Sequence, residues 1–121
     1  MVRAVRGAVI VENTPTSIRD AVAELVSTIV VRNNIEEEDI VSIVFSQTHD
    51  IDAFNPATAL REVGFASVPL FCTQEPRIAG SSGKIVRVLL TCSTERKRLD
   101  PVYLRGAERL RADLFGDAAQ A

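Results

Sequence analysis

The sequence predicts an α/β fold of the α+β kind, a mixed β-sheet with helices on one face. Three observations carry this. β-branched runs that alternate, or are almost solidly apolar, recur along the chain. One long segment repeats its apolar residues at helical spacing. The order is strand, helix, strand, helix, strand, strand and a short mixed element, with no repeat or linker, so residues 1–121 are expected to form one domain.

Each element has a local reason. Residues 2–12, "VRAVRGAVIVE", alternate: Val2, Ala4, Arg6, Ala8 and Ile10 share one face, and Arg3, Val5, Gly7, Val9 and Val11 the other. A helix then starts at Thr14, an N-cap, with Pro15 at the first helical position, where its missing N–H costs nothing. Ile18, Ala21, Val22, Leu25, Val26, Ile29 and Val30 make its apolar stripe, and Asn33-Asn34 stops it. The acidic "IEEEDI" reads as a solvated connector. Residues 40–48, "IVSIVFSQT", are apolar almost throughout and predict a central strand. "HDIDAF" is a loop, and "NPATALREVG" a short helix capped by Asn55 and closed by Gly64. "SVPLFCTQE" is a third strand, "PRIAGSSG" a Gly/Ser-rich loop and "KIVRVLLTC" a fourth strand. "STERKRLDP" is basic and irregular. "VYLRGAERL" fits either a fifth strand or a helix, because Gly106 weakens both, and residues from about 115 to 121 read as a flexible tail. A sheet with helices on one face leaves the other bare, and a neighbouring subunit is the natural cover.

Bulk composition excludes several classes. A net charge of −2 argues against a general nucleic-acid binder. Cys72 and Cys92 make no disulfide framework. No apolar run is long enough to span a bilayer, and the N-terminal residues lack a signal peptide's layout, so a cytoplasmic protein is expected. With no Trp, one Tyr and one His, a site must rely on Arg, Glu, Cys and backbone groups.

Arg87 is the residue that does not belong. It shares a strand face with Ile85, Leu89 and Thr91, and an unpaired buried guanidinium costs several kcal/mol, on the order of a small domain's whole stability. It must meet a carboxylate or line a wet cleft, and Glu75 is the nearest acid in sequence. A purely structural Arg–Glu pair satisfies the same demand. Arg6 raises the same question: two strand arginines could hold a small dianion, or Arg6 could form a salt bridge at a subunit interface. Arg61 and Arg111 read first as surface charges. Cys72 reads as a small core residue that alternation places opposite Glu75, and Cys92 is more surely core. Lone His49, with Asp50 and Asp52, is weak ground for a metal site, so no metal is expected. Tyr103 suits either the core or a pocket. "GSSG" lacks a phosphate loop's spacing, and no nucleophile triad is visible.

The segments "VRAVRGAVIVE", "FNPATALREVG", "VPLFCTQEPRIAG", "IVRVLLTCST" and "VYLRGAERLRADL" resemble, in order and spacing, those of the AroH-class chorismate mutases, over nearly the whole chain. The resemblance implies a pseudo-barrel homotrimer with sites at the subunit interfaces. It also implies the cofactor-free rearrangement of chorismate to prephenate, on the way to Phe and Tyr. Carried over by motif, Arg6 binds a substrate carboxylate and Arg87 donates to the ether oxygen. Glu75 and Cys72 meet the ring hydroxyl, and Tyr103 contacts the enolpyruvyl carboxylate. Arg61, Ala57, Thr58, Leu110 and Arg111 come from the neighbour or close the mouth. The chain departs from the family pattern at Asn55, where an aromatic is usual, at Thr58, where some relatives have Lys, at Phe71 beside Cys72, and at His49. Those departures keep two other readings open: a same-fold enzyme acting on a chorismate analogue such as an amino compound, and a non-catalytic trimer binding a small carboxylate.

Overall fold

A computed structural model describes residues 1–115 of the chain; of the tail expected at 115–121, residues 116–121 lie outside the described residues. β1 (Val2–Ile10) leads to α1 (Pro15–Arg32), a 3-10 turn (Glu37–Asp39), β2 (Ile40–Gln47) and α2 (Pro56–Glu62). β3 (Leu70–Gln74), β4 (Ile85–Ser93) and β5 (Val102–Leu104) follow, then a 3-10 turn (Ala107–Arg111) and α3 (Ala112–Phe115). The strands form a five-stranded sheet in the order β3-β2-β4-β1-β5. β4 runs antiparallel to both β1 and β2, while β2/β3 and β1/β5 are parallel pairs. The apolar β2 is indeed an interior strand. The segment left open between strand and helix is both, in succession: β5, then Gly106 at φ +92, then the helical turns. Gly106 permits the left-handed bend that separates them.

Caps follow the sequence. The Thr14 hydroxyl accepts from the Ser17 amide, and the Asn55 side chain accepts from the Ala57 and Thr58 amides. Asn33 ends α1 and does more. Fully buried, its amide donates to the Ile29 and Asp100 carbonyls while its oxygen accepts from the Asp100 N–H, stapling the basic connector to the helix.

The core lies between the helices and one face of the sheet. Ile18, Val22, Leu25, Val26 and Ile29 of α1 are fully buried with Val9, Ile43, Phe45, Val86 and Leu90, and Ala59 and Leu60 of α2 join the same cluster. Gly7 sits on this helix-facing side, where α1 and β5 crowd in. A Cβ there would lie 2.7 Å from the Val102 carbonyl oxygen and 3.1 Å from the Leu25 and Ile29 Cδ1 atoms. The opposite face has little cover. Only Ala8, Ile85, Tyr103 and Ala107 form a small second cluster there, with Ile10 and Leu110 against it. Val2 (62% exposed), Phe71 (65%) and Leu89 (45%) stand open on the rest of that face.

Gly7→Ala should therefore lower stability by about 1–3 kcal/mol through overpacking, measured by chemical denaturation. An unchanged midpoint would show that α1 yields to the added methyl.

Candidate active site

The open face carries the polar residues. Because β4 pairs with β2 and β1, and β1 with β5, a single row crosses the whole sheet: Thr73, Ser46, Arg87, Ala8 and Tyr103 stand side by side on β3, β2, β4, β1 and β5. Arg6, two residues along β1 from Ala8, shares the face. Ala8 contributes only a methyl, which keeps the floor low between Arg87 and Tyr103. The result is a cleft of about 390 Å³ lined by Arg6, Gly7, Val44, Ser46, Arg87, Val88, Leu89 and Tyr103.

Arg87 meets its carboxylate. Its Nε donates to Oε1 of Glu75, which follows the end of β3 and is held there by its own N–H on the Gln47 carbonyl, 2.9 Å away. The pair crosses above β2, and the Ser46 hydroxyl donates to the same Oε1 at 3.2 Å. Since the bond uses Nε, the two terminal amino groups of the guanidinium remain available to the cleft. Both side chains are half-buried, at 39% exposure for Arg87 and 19% for Glu75, so water screens the pair only in part. Arg6 has no ion pair among the described residues.

Tyr103, which lines the cleft on β5, has Leu110 and Arg111 against it. Leu110 packs against the cluster containing Tyr103. Arg111 donates through Nε and a terminal nitrogen to both Asp113 oxygens, at 3.0 and 2.8 Å. Asp113 holds the guanidinium in its charged form, with a smaller contribution from the Tyr103 hydroxyl, and is itself pushed below the usual carboxylate range.

The structure does not bring every expected residue to this cleft. Cys72 pairs with the buried Phe45 and packs toward the helix side, so its thiol faces away from Glu75, as strict alternation requires. Burial pushes both cysteine thiols up, leaving neither as a ready thiolate. Ala57 is buried in the chain's own core. Thr58 and Arg61 lie on α2, on the far side of the sheet, with Arg61 exposed. Phe71 is on the open face opposite Val44. Phe54, the aromatic displaced by one position from the family pattern, packs on the core beneath the Arg19 guanidinium, 4.3 Å from its ring centre, while Asn55 is occupied in capping. Ser46 escaped sequence analysis because its value lies in cross-strand register.

Glu75 also lines a second cleft, of about 360 Å³, with Thr48, His49, Asp50, Arg77 and the Gly/Ser loop. Asp50 roots that loop. Both its oxygens accept from the Lys84 amide at 3.0 Å, and the Thr48 hydroxyl donates to it at 2.6 Å while accepting from the Ile85 amide. No group of three or more His, Cys, Asp or Glu side chains among the described residues is placed to hold a metal.

Comparison with known proteins places this geometry. The profile of the family "Chorismate mutase type I" matches residues 2–114. The chorismate mutase AroH of Thermus thermophilus is 39% identical over 118 residues, covering 94% of this chain and 97% of that protein. That of Bacillus subtilis (strain 168) is 36% identical over 118 residues, covering 94% and 93%. A solved chorismate mutase from Clostridium thermocellum superimposes with a TM-score of 0.84 at 38% identity, over 88% of this chain and 97% of its own.

The Asp50 cluster has a pH signature. Hydrogen bonds from Thr48 and then Lys84 hold its carboxyl below the ordinary 3.8. A depressed folded-state value stabilises the fold above the unfolded value, and that stabilisation is lost as pH falls through the folded one. The stability difference between the parent and Asp50→Asn should hence be largest near neutrality and close as pH drops below 3.8. A difference independent of pH, measured by urea unfolding between pH 2 and 7 or about that range, would remove this assignment.

Proposed function

The chain belongs to the chorismate mutase type I family and isomerises chorismate to prephenate, and from that premise we propose how its cleft does so. In this rearrangement the ether C–O bond opens ahead of C–C closure, and electron density gathers on the ether oxygen. The terminal N–H groups of Arg87, on a guanidinium that Glu75 holds at the cleft wall, meet that oxygen. A donor already in place stabilises the transition state more than the ground state and spends nothing on reorganisation. The single observation behind this reading is the bond through Nε: it fixes Arg87 without occupying its reactive end.

The other roles follow from position. Arg6, lacking an internal carboxylate, takes one substrate carboxylate, and Tyr103 with Arg111 faces the enolpyruvyl carboxylate. Glu75 reads the ring hydroxyl. Leu110 covers the mouth. Holding the flexible diaxial form between two cationic ends adds an orientation term. The electron shift stays within one molecule, so neither a general base nor a nucleophile is required.

The rest of the site comes from assembly into a homotrimer. A thinly covered sheet face with Val2, Phe71 and Leu89 exposed supports burial against second and third copies. Thr58 and Arg61, on α2 behind the sheet, reach a cleft only in a neighbouring copy, and exposed Phe71 on the open face is free to pack there too. The Cys72 thiol, on the helix side, is given no contact. Two unpaired thiols suit a reducing cytoplasm.

Arg87→Ala should cut kcat by at least about a thousandfold, with folding and assembly retained. Arg87→Lys should recover little, because a compact ammonium has no planar fork that separates the end held by Glu75 from the end facing the ether oxygen. Loss of chorismate's ultraviolet absorbance provides the assay, and full activity in Arg87→Ala would end the proposed role. Sedimentation should give three chains per particle; a monomer still active at nanomolar dilution contradicts shared sites.

A further inference from the structure

We infer that Ser46 is a positioning residue for this reaction, with its hydroxyl under the Arg87–Glu75 bridge keeping the terminal nitrogens of Arg87 turned into the cleft. The inference rests on the proposed roles of Arg87 and Glu75. Glu75 follows β3 and Arg87 lies on β4, and β2 runs between them. The bridge must therefore cross two strand spacings, about 10 Å between backbones. Ser46 is the β2 residue directly opposite Arg87, on the same face. Whatever side chain stands there lies beneath the bridge.

Two demands meet at that position. The side chain must be small, or it would lift the carboxylate off the guanidinium. It must also offer a proton. Oε1 of Glu75 accepts from the Arg87 Nε and from the Ser46 Oγ together. Arginine and carboxylate favour a two-pronged fork, in which the second carboxylate oxygen takes a terminal guanidinium nitrogen. Such a fork would use a donor that the ether oxygen needs. A hydroxyl bonded to Oε1 fixes the carboxylate's rotation and opposes the fork. Ser46 also lines the cleft with Arg6, Arg87 and Tyr103, so it orders the pair at the wall where the ligand sits.

Ser46→Ala, Ser46→Thr and Arg87→Ala are compared by chorismate turnover, affinity for a bicyclic transition-state mimic, melting temperature and sedimentation. Ser46→Ala should lower kcat by about tenfold to a hundredfold, the worth of a hydrogen bond to a charged group. KM should move little, mimic binding should weaken with kcat/KM, and the melting temperature should hold. Ser46→Thr, which restores a hydroxyl on a β-favouring residue, should recover most of the rate. If Ser46→Ala turns over normally while Arg87→Ala is dead, the inference about Ser46 is overturned and the site reading stands. Equal losses in Ala and Thr, or a loss that tracks melting temperature, also overturn it. Normal turnover in Arg87→Ala removes the reading beneath both.

Discussion

One ion pair organises the open face of this sheet. A guanidinium on an interior strand is tolerated only with a carboxylate within reach, and β4 has none on its immediate neighbours in that row: β2 offers Ser46 and β1 offers Ala8. The acid comes from one strand farther away. Glu75 directly follows β3, its N–H still bonded to the Gln47 carbonyl, and its side chain leans across β2 to Arg87. That crossing sets a size limit on the residue it leans over. Removing Glu75 would leave a half-buried cation unpaired; removing Arg87 would leave the acid facing a cleft that otherwise holds only Arg6 as a formal charge.

The sheet thus has two unlike faces, and each strand alternates between them. The helix side is closely packed hydrocarbon, with Gly7 absent of side chain where α1 and β5 press closest. The open side is sparsely apolar and charged. On β4 the alternation is literal: Val86, Val88 and Leu90 are buried under the helices, while Arg87 and Leu89 face outward. Stability comes mostly from the first face, which is why the second can carry a cleft.

Much of this was legible in residue order. The α1 stripe, the Thr14 and Asn55 caps, the interior character of β2 and the pairing of Arg87 with Glu75 all follow from local spacing or from the cost of a buried charge. Other features depend on register, which one strand cannot reveal alone. Ser46 looks like an ordinary polar position until it is placed opposite Arg87. Asn33 looks like a helix stop until Asp100 is found hydrogen-bonded to it. Cys72 is instructive in the other direction. Alternation set it opposite Glu75, and the strand does not bend to bring both to one side. Family resemblance drew the two together, and backbone geometry keeps the thiol with the core.

The two arginines of the cleft solve different problems. Arg6 is exposed and has no ion pair among the described residues, so water solvates it at little cost. A ligand that displaced that water would have to bring a negative charge of its own, in keeping with the carboxylate-binding role proposed for Arg6. Arg87 is partly desolvated from the start, and Glu75 meets most of that cost before any ligand arrives. The same acid lowers the positive potential that Arg87 can offer, so tight two-pronged pairing would protect the fold and weaken the chemistry. For the role proposed for Arg87, engagement through Nε is the compromise: enough negative charge to keep the cation in place, and enough unshared donor capacity to respond when an oxygen beside it gains charge. A site designed only for binding would have no reason to separate those two ends of one side chain.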